Sequence, residues 1–242
     1  MALHHFIWND LSTFDMRAAQ SDYGRLFGWA FEGDRSYRIA RVGGGEAAAV
    51  FPMPEAYVAI NMPSFWMSYV HVEGLDAMVD KARSYDGVVI EVEPTDFDSR
   101  SRIALVRDPV GAGFTLYEGP ELNQACGEPG TVAGINHHCA DTSLVMPFYE
   151  DLFGWQFQEV RHGPWPSFDI LHSDGSKVAG AEAIPDDVRG KFRYWMPSFA
   201  VRSTEEFGTQ LQRVGGALVG DFPDGRLLAS DRQGAHFMVE PF

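Results

Sequence analysis

Cysteine is nearly absent from this chain, with only Cys126 and Cys139 in 242 residues. Two widely spaced cysteines make neither a disulfide framework nor a thiolate metal cage, and they read as free thiols. Basic residues are scarce too: 19 Lys and Arg stand against 34 Asp and Glu, a net charge of −15. A surface of that sign repels phosphate backbones and anionic lipid, so neither nucleic acid nor a membrane is expected as a partner. No run of eighteen apolar residues occurs, and the opening MALHHFIWNDLST lacks the basic and apolar stretches of an export signal. No membrane span is expected, and the location reads as cytoplasmic. What is present is ordinary globular composition, 45% hydrophobic and 22% charged, enough to bury a sizeable core.

The chain repeats itself. Asp15, Tyr23 and Phe27-Gly28-Trp29 recur as Asp141, Tyr149 and Phe153-Gly154-Trp155, every member offset by 126. Trp66-Met67 answers Trp195-Met196 at offset 129, and Gly111-Ala112 with Phe114 answers Gly234-Ala235 with Phe237 at offset 123. Small changes in loop length account for the drift. Residues 119–133 (GPELNQACGEPGTVA) are rich in Gly, Pro and polar residues without periodicity, as a linker is. The expected organisation is a first domain at 1–120, a linker at 121–133 and a second domain at 134–242.

Within the first copy, 4–13 reads as a strand and Asp15 as the N-cap of a helix over 16–27, closed by Gly28. Strands are expected at 37–42 and 47–51, split by Gly43-Gly44-Gly45. A second unit follows, with a strand at 68–72, a helix at 75–85 and strands at 88–93, 102–107 and 113–117. The second copy runs in the same order. This is an α+β pattern of paired βαβββ modules, with helices outside a strongly curved sheet whose inner face forms a cup.

The string Trp8-Asn9-Asp10-Leu11-Ser12-Thr13-Phe14-Asp15, with Tyr23 and Leu26-Phe27-Gly28-Trp29, resembles the opening motif of tandem vicinal-oxygen-chelate proteins. Phe148-Tyr149 with Leu152-Phe153-Gly154-Trp155 resembles it again. Asp108-Pro109-Val110-Gly111-Ala112 is similar to the family's DP-x-G turn, which Asp231-Arg232-Gln233-Gly234-Ala235 reproduces imperfectly. The resemblance covers essentially the whole chain and implies two tandem glyoxalase-like domains. It leaves function open, because the superfamily contains isomerases, dioxygenases, epimerases, thiol transferases and drug-binding proteins.

In metal-using relatives the resemblance implies ligands on the first strand of each unit, seven residues before the acidic residue that ends it, and a Glu on each last strand. Counting from Asp15, Glu73 and Asp108 gives Trp8, Trp66 and Thr115. The second copy gives Gly134, Trp195 and Met238. None is a usual metal ligand, so a metal-free site is expected. An alternative donor set in the second copy is His138, His236 and Glu240, which could hold Fe, Mn or Zn or supply a general base with an orienting acid. Glu182 is a further candidate whose facing the sequence leaves open. His71, with His5 and Glu118, forms another tempting set, but strand alternation counted from Trp66 turns His71 toward the helices as a hydrogen-bonded structural residue.

By the same alternation the cups are lined by Trp8, Asp10, Ser12, Trp66, Ser68 and Thr115 in the first copy. In the second they are lined by Asn136, His138, Trp195, Phe199 and Met238. Such linings suit a flat or apolar small molecule. Trp165, between two prolines in the loop 161–166, could lid the second cup or cover the sheet. The leading expectation is a small-molecule-binding protein, monomer or homodimer, with a hydrophobic or aromatic ligand and no cofactor. The alternatives are a lyase, isomerase or dioxygenase-like enzyme using His138, His236 and Glu240, and a resistance protein that sequesters a toxic product as bleomycin-binding relatives do.

Overall fold

A computed structural model describes residues 3–160, 164–189 and 193–242. The first copy begins with β1 (Phe6–Thr13), α1 (Met16–Phe27), β2 (Ala30–Gly33), β3 (Arg38–Val42) and β4 (Gly45–Pro52). After a short α2 (Glu55–Ala59) come β5 (Phe65–His71), α3 (Leu75–Arg83), β6 (Val89–Asp96), β7 (Arg102–Arg107) and β8 (Gly113–Glu118). The second copy repeats this with β9 (Val132–Cys139), α4 (Met146–Phe153), β10 (Gln156–Val160), β11 (Ser167–Leu171), β12 (Lys177–Ala183) and a short α5 (Asp186–Arg189). It ends with β13 (Tyr194–Val201), α6 (Thr204–Arg213), β14 (Ala217–Asp221), β15 (Leu227–Ser230) and β16 (His236–Pro241). Among the described residues no helix is long and apolar enough to cross a membrane.

Each copy builds one eight-stranded sheet, ordered β2-β3-β4-β1-β5-β8-β7-β6 in the first and β10-β11-β12-β9-β13-β16-β15-β14 in the second. Hairpins run antiparallel, whereas β1–β4, β5–β8, β9–β12 and β13–β16 are parallel, since a helix or long connection lies between their members. These are the expected paired modules, the first completed by β2, a largely exposed four-residue strand.

Compactness does not follow the repeat boundaries. Residues 1–8, 68–122 and 135–195 form one compact unit, and 9–67, 123–134 and 196–242 the other. Each unit therefore takes half of each copy, where a division at 121–133 was expected. In the second unit, α1 and α6 bury Tyr23, Phe27, Phe207 and Leu211 in one cluster with Leu11, Trp29, Trp66, Phe199 and Phe237. In the first, Phe114, Tyr149, Phe153, Trp155 and Trp195 form the corresponding aromatic core.

Helix ends follow local chemistry. The Asp15 carboxylate accepts from the backbone N–H groups of Arg17 and Ala18 to cap α1. Gly28 and Gly154 close α1 and α4 with φ of 73° and 72°, left-handed conformations that a side chain disfavours.

Candidate functional site

Each unit contains the same buried polar clamp on its helix side, with members from both copies. In the second unit the Trp66 indole N–H donates to the Tyr23 hydroxyl (3.3 Å), which donates to Asp231 Oδ2 (3.1 Å). Asp231 Oδ1 accepts the backbone N–H groups of Gln233 and Ala235. In the first unit Trp195 donates to Tyr149 (2.6 Å), Tyr149 to Asp108 Oδ2 (3.0 Å), and Asp108 Oδ1 accepts from Val110 and Ala112. Burial, reinforced by the neighbouring carboxylate, pushes both tyrosine hydroxyls well above their ordinary pKa, so they remain donors. Burial also raises the Asp231 carboxyl, against its hydrogen bonds.

These contacts reverse the expected facing of two strands. Trp66 and Trp195 point at the helices, and alternation takes Ser68 with Trp66. Phe199 packs on Phe27, Trp29 and Trp66 in the helix-side cluster. None of these four lines the helix-free face. The residues that do are their neighbours: on β5 Met67, Tyr69 and His71, with Tyr69 paired to Thr115, and on β13 Met196 and Ser198, with Ser198 paired to Met238. Thr115 and Met238 keep their expected facing, opposite the helix-packed Phe114 and Phe237. His71 lies on the helix-free side, and its ring Nε2 is 3.0 Å from the Gly119 carbonyl, so it is hydrogen-bonded as expected but turned the other way. It makes no triad with His5 and Glu118: His5 pairs with Glu121 at 3.2 Å, and Glu118 accepts the N–H groups of Gly74 and Leu75 that open α3.

On β1 alternation works as expected. Leu11 joins the helix-side cluster, so Trp8, Asp10 and Ser12 face away from it. Asp10 pairs in register with Ala49 and Ser12 with Phe51, and Asp10 Oδ2 accepts the Tyr37 hydroxyl at 3.2 Å. The equivalent positions of the second copy are more polar. Asn136 pairs with Gly180 and His138 with Glu182 across β9 and β12, and His138 Nε2 lies 3.0 Å from Glu182 Oε2. His138 is fully buried and Glu182 nearly so. A Cβ on Gly180 would meet Asn136 Oδ1 at 2.5 Å, so only glycine leaves Asn136 its place.

The expected set of His138, His236 and Glu240 is not assembled as one group. His236 and Glu240 are four residues apart on β16, roughly 13 Å along a strand, too far to share an ion. Glu240 instead accepts the Ser198 hydroxyl at 3.0 Å, and His236 Nδ1 lies 3.0 Å from the Gly234 carbonyl. The partner that alternation could not assign, Glu182, is the one set beside His138. Copy one holds the signal for it: the β1–β4 register, carried across by the repeat, aligns Glu182 with Phe51.

Trp165 is half-buried, and Arg161, His162 and Gly163 of its loop lie outside the described residues. Cys126 is an exposed free thiol and Cys139 a buried one.

A divalent metal needs three or more convergent donors. Among the described residues no group of three or more His, Cys, Asp and Glu side chains converges in that way. With the facing corrected, the positions aligned with the expected ligands are Trp8, Met67 and Thr115, and Gly134, Met196 and Met238. That donor set does not fit iron, manganese or zinc.

No family model matches the chain. It is 29% identical over 248 residues to the Mycobacterium tuberculosis protein named "Putative glyoxylase CFP32", covering 96% of this chain and 92% of that one. It is 27% identical over 262 residues to the anthracycline biosynthesis protein DnrV of Streptomyces peucetius, covering 96% and 91%. Among solved structures it superposes on the 2,2′,3-trihydroxybiphenyl 1,2-dioxygenase of Sphingomonas wittichii with a TM-score of 0.63 at 13% identity, over 99% of this chain and 91% of that one. The internal repeat, the two matching sheets and these full-length likenesses give the chain the tandem vicinal-oxygen-chelate fold that glyoxalases and extradiol dioxygenases share.

Proposed function

We propose that this protein binds a small, flat, largely apolar molecule without a metal, against the helix-free face of β9 and β12, and that His138, Glu182 and Asn136 fix its polar groups. The observation that carries this reading is the buried His138–Glu182 pair. Burying two ionisable groups costs several kcal/mol before their attraction is counted. The scaffold does not require it, since the first copy folds the same strands with Ser12 and Phe51 at those positions. What the two copies share, the Tyr–Asp–Trp clamp, is structural; what they do not share is where function separates from fold. Kinship with a protein named for anthracycline biosynthesis supports an aromatic ligand.

The test is calorimetric titration of 2-naphthol and 2-hydroxy-1,4-naphthoquinone into the wild type and into His138→Ser/Glu182→Phe, which installs the first copy's residues. Saturable binding weakened about tenfold or more in the variant is expected, the worth of one or two buried hydrogen bonds. Equal affinity in both would sink the reading. Elemental analysis of the purified protein should find substoichiometric metal; one equivalent that disappears in the double variant would overturn the metal-free assignment.

A second reading rests on the same geometry. His138 lies within ion-pair range of the Glu182 carboxylate, so it could take a proton from an acidic C–H or O–H of the ligand. It predicts His138-dependent deuterium exchange into a bound ketone, followed by NMR. No exchange above the buffer rate leaves binding alone.

A further inference from the structure

Away from the helix-free faces, the second unit has a groove of about 320 Å³ on its outside, at the low end of the range for small-molecule sites. Its floor is apolar: Phe27 at the end of α1, Val42 at the end of β3 and Phe207 in α6. At its rim stand Arg25 and Arg202, both exposed, neither ion-paired among the described residues. Asp22, the carboxylate whose charge reaches Arg25, is already held by Arg232 at 2.6 Å. Among the described residues Glu206 is the only acidic one in the lining, which leaves it one positive charge in excess.

The repeat again separates scaffold from specialisation. Carried across by the offsets of 126 and 129, Arg25 corresponds to Asp151, Arg202 to Glu73 and Gln210 to Lys81. In the first unit Lys81 and Asp151 are ion-paired at 3.3 Å, and the Tyr85 hydroxyl bonds to Asp151 as well. That place is spanned by a salt bridge, with acidic residues where the second unit has arginines. The fold therefore needs neither the groove nor its charges. In a chain of net charge −15, two unengaged guanidinium groups beside an aromatic floor are a local reversal of sign.

We propose that this groove is a second binding site, for a small carboxylate with a hydrocarbon body. Its carboxylate sits at Arg25 and Arg202, and its apolar part lies on Phe27, Val42 and Phe207. Arginine suits this role because its planar fork matches a carboxylate, and a site this exposed binds less tightly as salt screens it.

The experiment is calorimetric titration of sodium octanoate into the full-length protein at low ionic strength, beside Arg25→Gln/Arg202→Gln and the His138→Ser/Glu182→Phe variant. Saturable binding is expected in the wild type, weakened tenfold or more by the arginine substitutions and by 0.5 M salt, and unchanged in the His138/Glu182 variant. Octanol, with the same tail and no charge, should bind more weakly than octanoate. Circular dichroism checks that the arginine variant keeps its fold, which is expected because both side chains are exposed. Absence of saturable octanoate binding at millimolar concentration overturns the proposal. So does equal affinity in the arginine variant, or loss of binding in the His138/Glu182 variant alone, which would place the carboxylate at the other site.

Discussion

His137 occupies a position that the first copy fills with Leu11. Its Nε2 is 2.7 Å from Asp108 Oδ2, and both groups are buried. Burial alone would depress its pKa, but hydrogen bonds to Asp108 and Cys139 and the charge of Asp108 outweigh that and raise it to about 9. A raised pKa stabilises the fold fully below the unfolded value of 6.5, and the contribution is lost as pH climbs through about 9. Denaturant titrations from pH 6 to 10 should show the wild type losing stability over that window relative to His137→Leu, whose profile stays flat there. Parallel profiles would mean that His137 is not an imidazolium in the native protein. The clamp beside it predicts more: Tyr23→Phe, which strips one bond from Asp231 and one from Trp66, should cost about 1–3 kcal/mol. At the proposed site, His138→Ser alone should cost about 3 kcal/mol, because it leaves Glu182 buried without its imidazole. The double change with Glu182→Phe should cost less than the sum of the two singles, and strict additivity would show that the pair does not interact.

The elements were readable because their signals are local. Asp15 followed by a 3.6-residue apolar pattern, and Gly28 at the left-handed end, fixed α1; paired runs around Gly43-Gly44-Gly45 fixed β3 and β4. β2 escaped because most of its residues are exposed, so alternation leaves no mark on it. The facing of β5 and β13 differs by one residue from the alternation counted from Trp66 and Trp195, and the helix caps explain why. Counting seven back from the N-cap Asp15 reaches Trp8, which faces as expected. On β5 the cap is Gly74, not Glu73, and the same count reaches Met67; on β13 it is Ser203, and the count reaches Met196. Ser203 with Glu206 three residues on was a legible cap signal; Gly74, with no side chain to bond, was not. The His138–Glu182 pair was half legible, since alternation turned His138 inward but only strand register brings Glu182 to it. That register gives a test. Gly180→Ala drives a methyl group into Asn136, so it should weaken binding of 2-naphthol about tenfold while the circular dichroism spectrum stays native. Unchanged affinity would remove Asn136 from the site.

For the molecule as a whole, the repeat visible in the sequence is not the unit of stability. Each compact unit draws its helix-side core from both copies. Tyr23 and Trp66 from the first need Asp231 and Phe237 from the second, and Tyr149 and Trp195 from the second need Asp108 and Phe114 from the first. A linker flanked by independent domains could be cut without loss. Here a cut between residues 122 and 135 divides both units, and each fragment keeps only half of either core. The exposed half-cores would be rich in Phe, Trp and Tyr, side chains whose burial contributes about 1.5–3 kcal/mol each. Fragments 1–122 and 135–242 expressed singly should therefore be unfolded or self-associated, with no near-ultraviolet dichroism from ordered tryptophan at low micromolar concentration. Co-expressed, they should copurify as a one-to-one complex with the native spectrum. A folded, monomeric fragment in gel filtration would show that a single copy holds a complete core, and the interleaved description would fail.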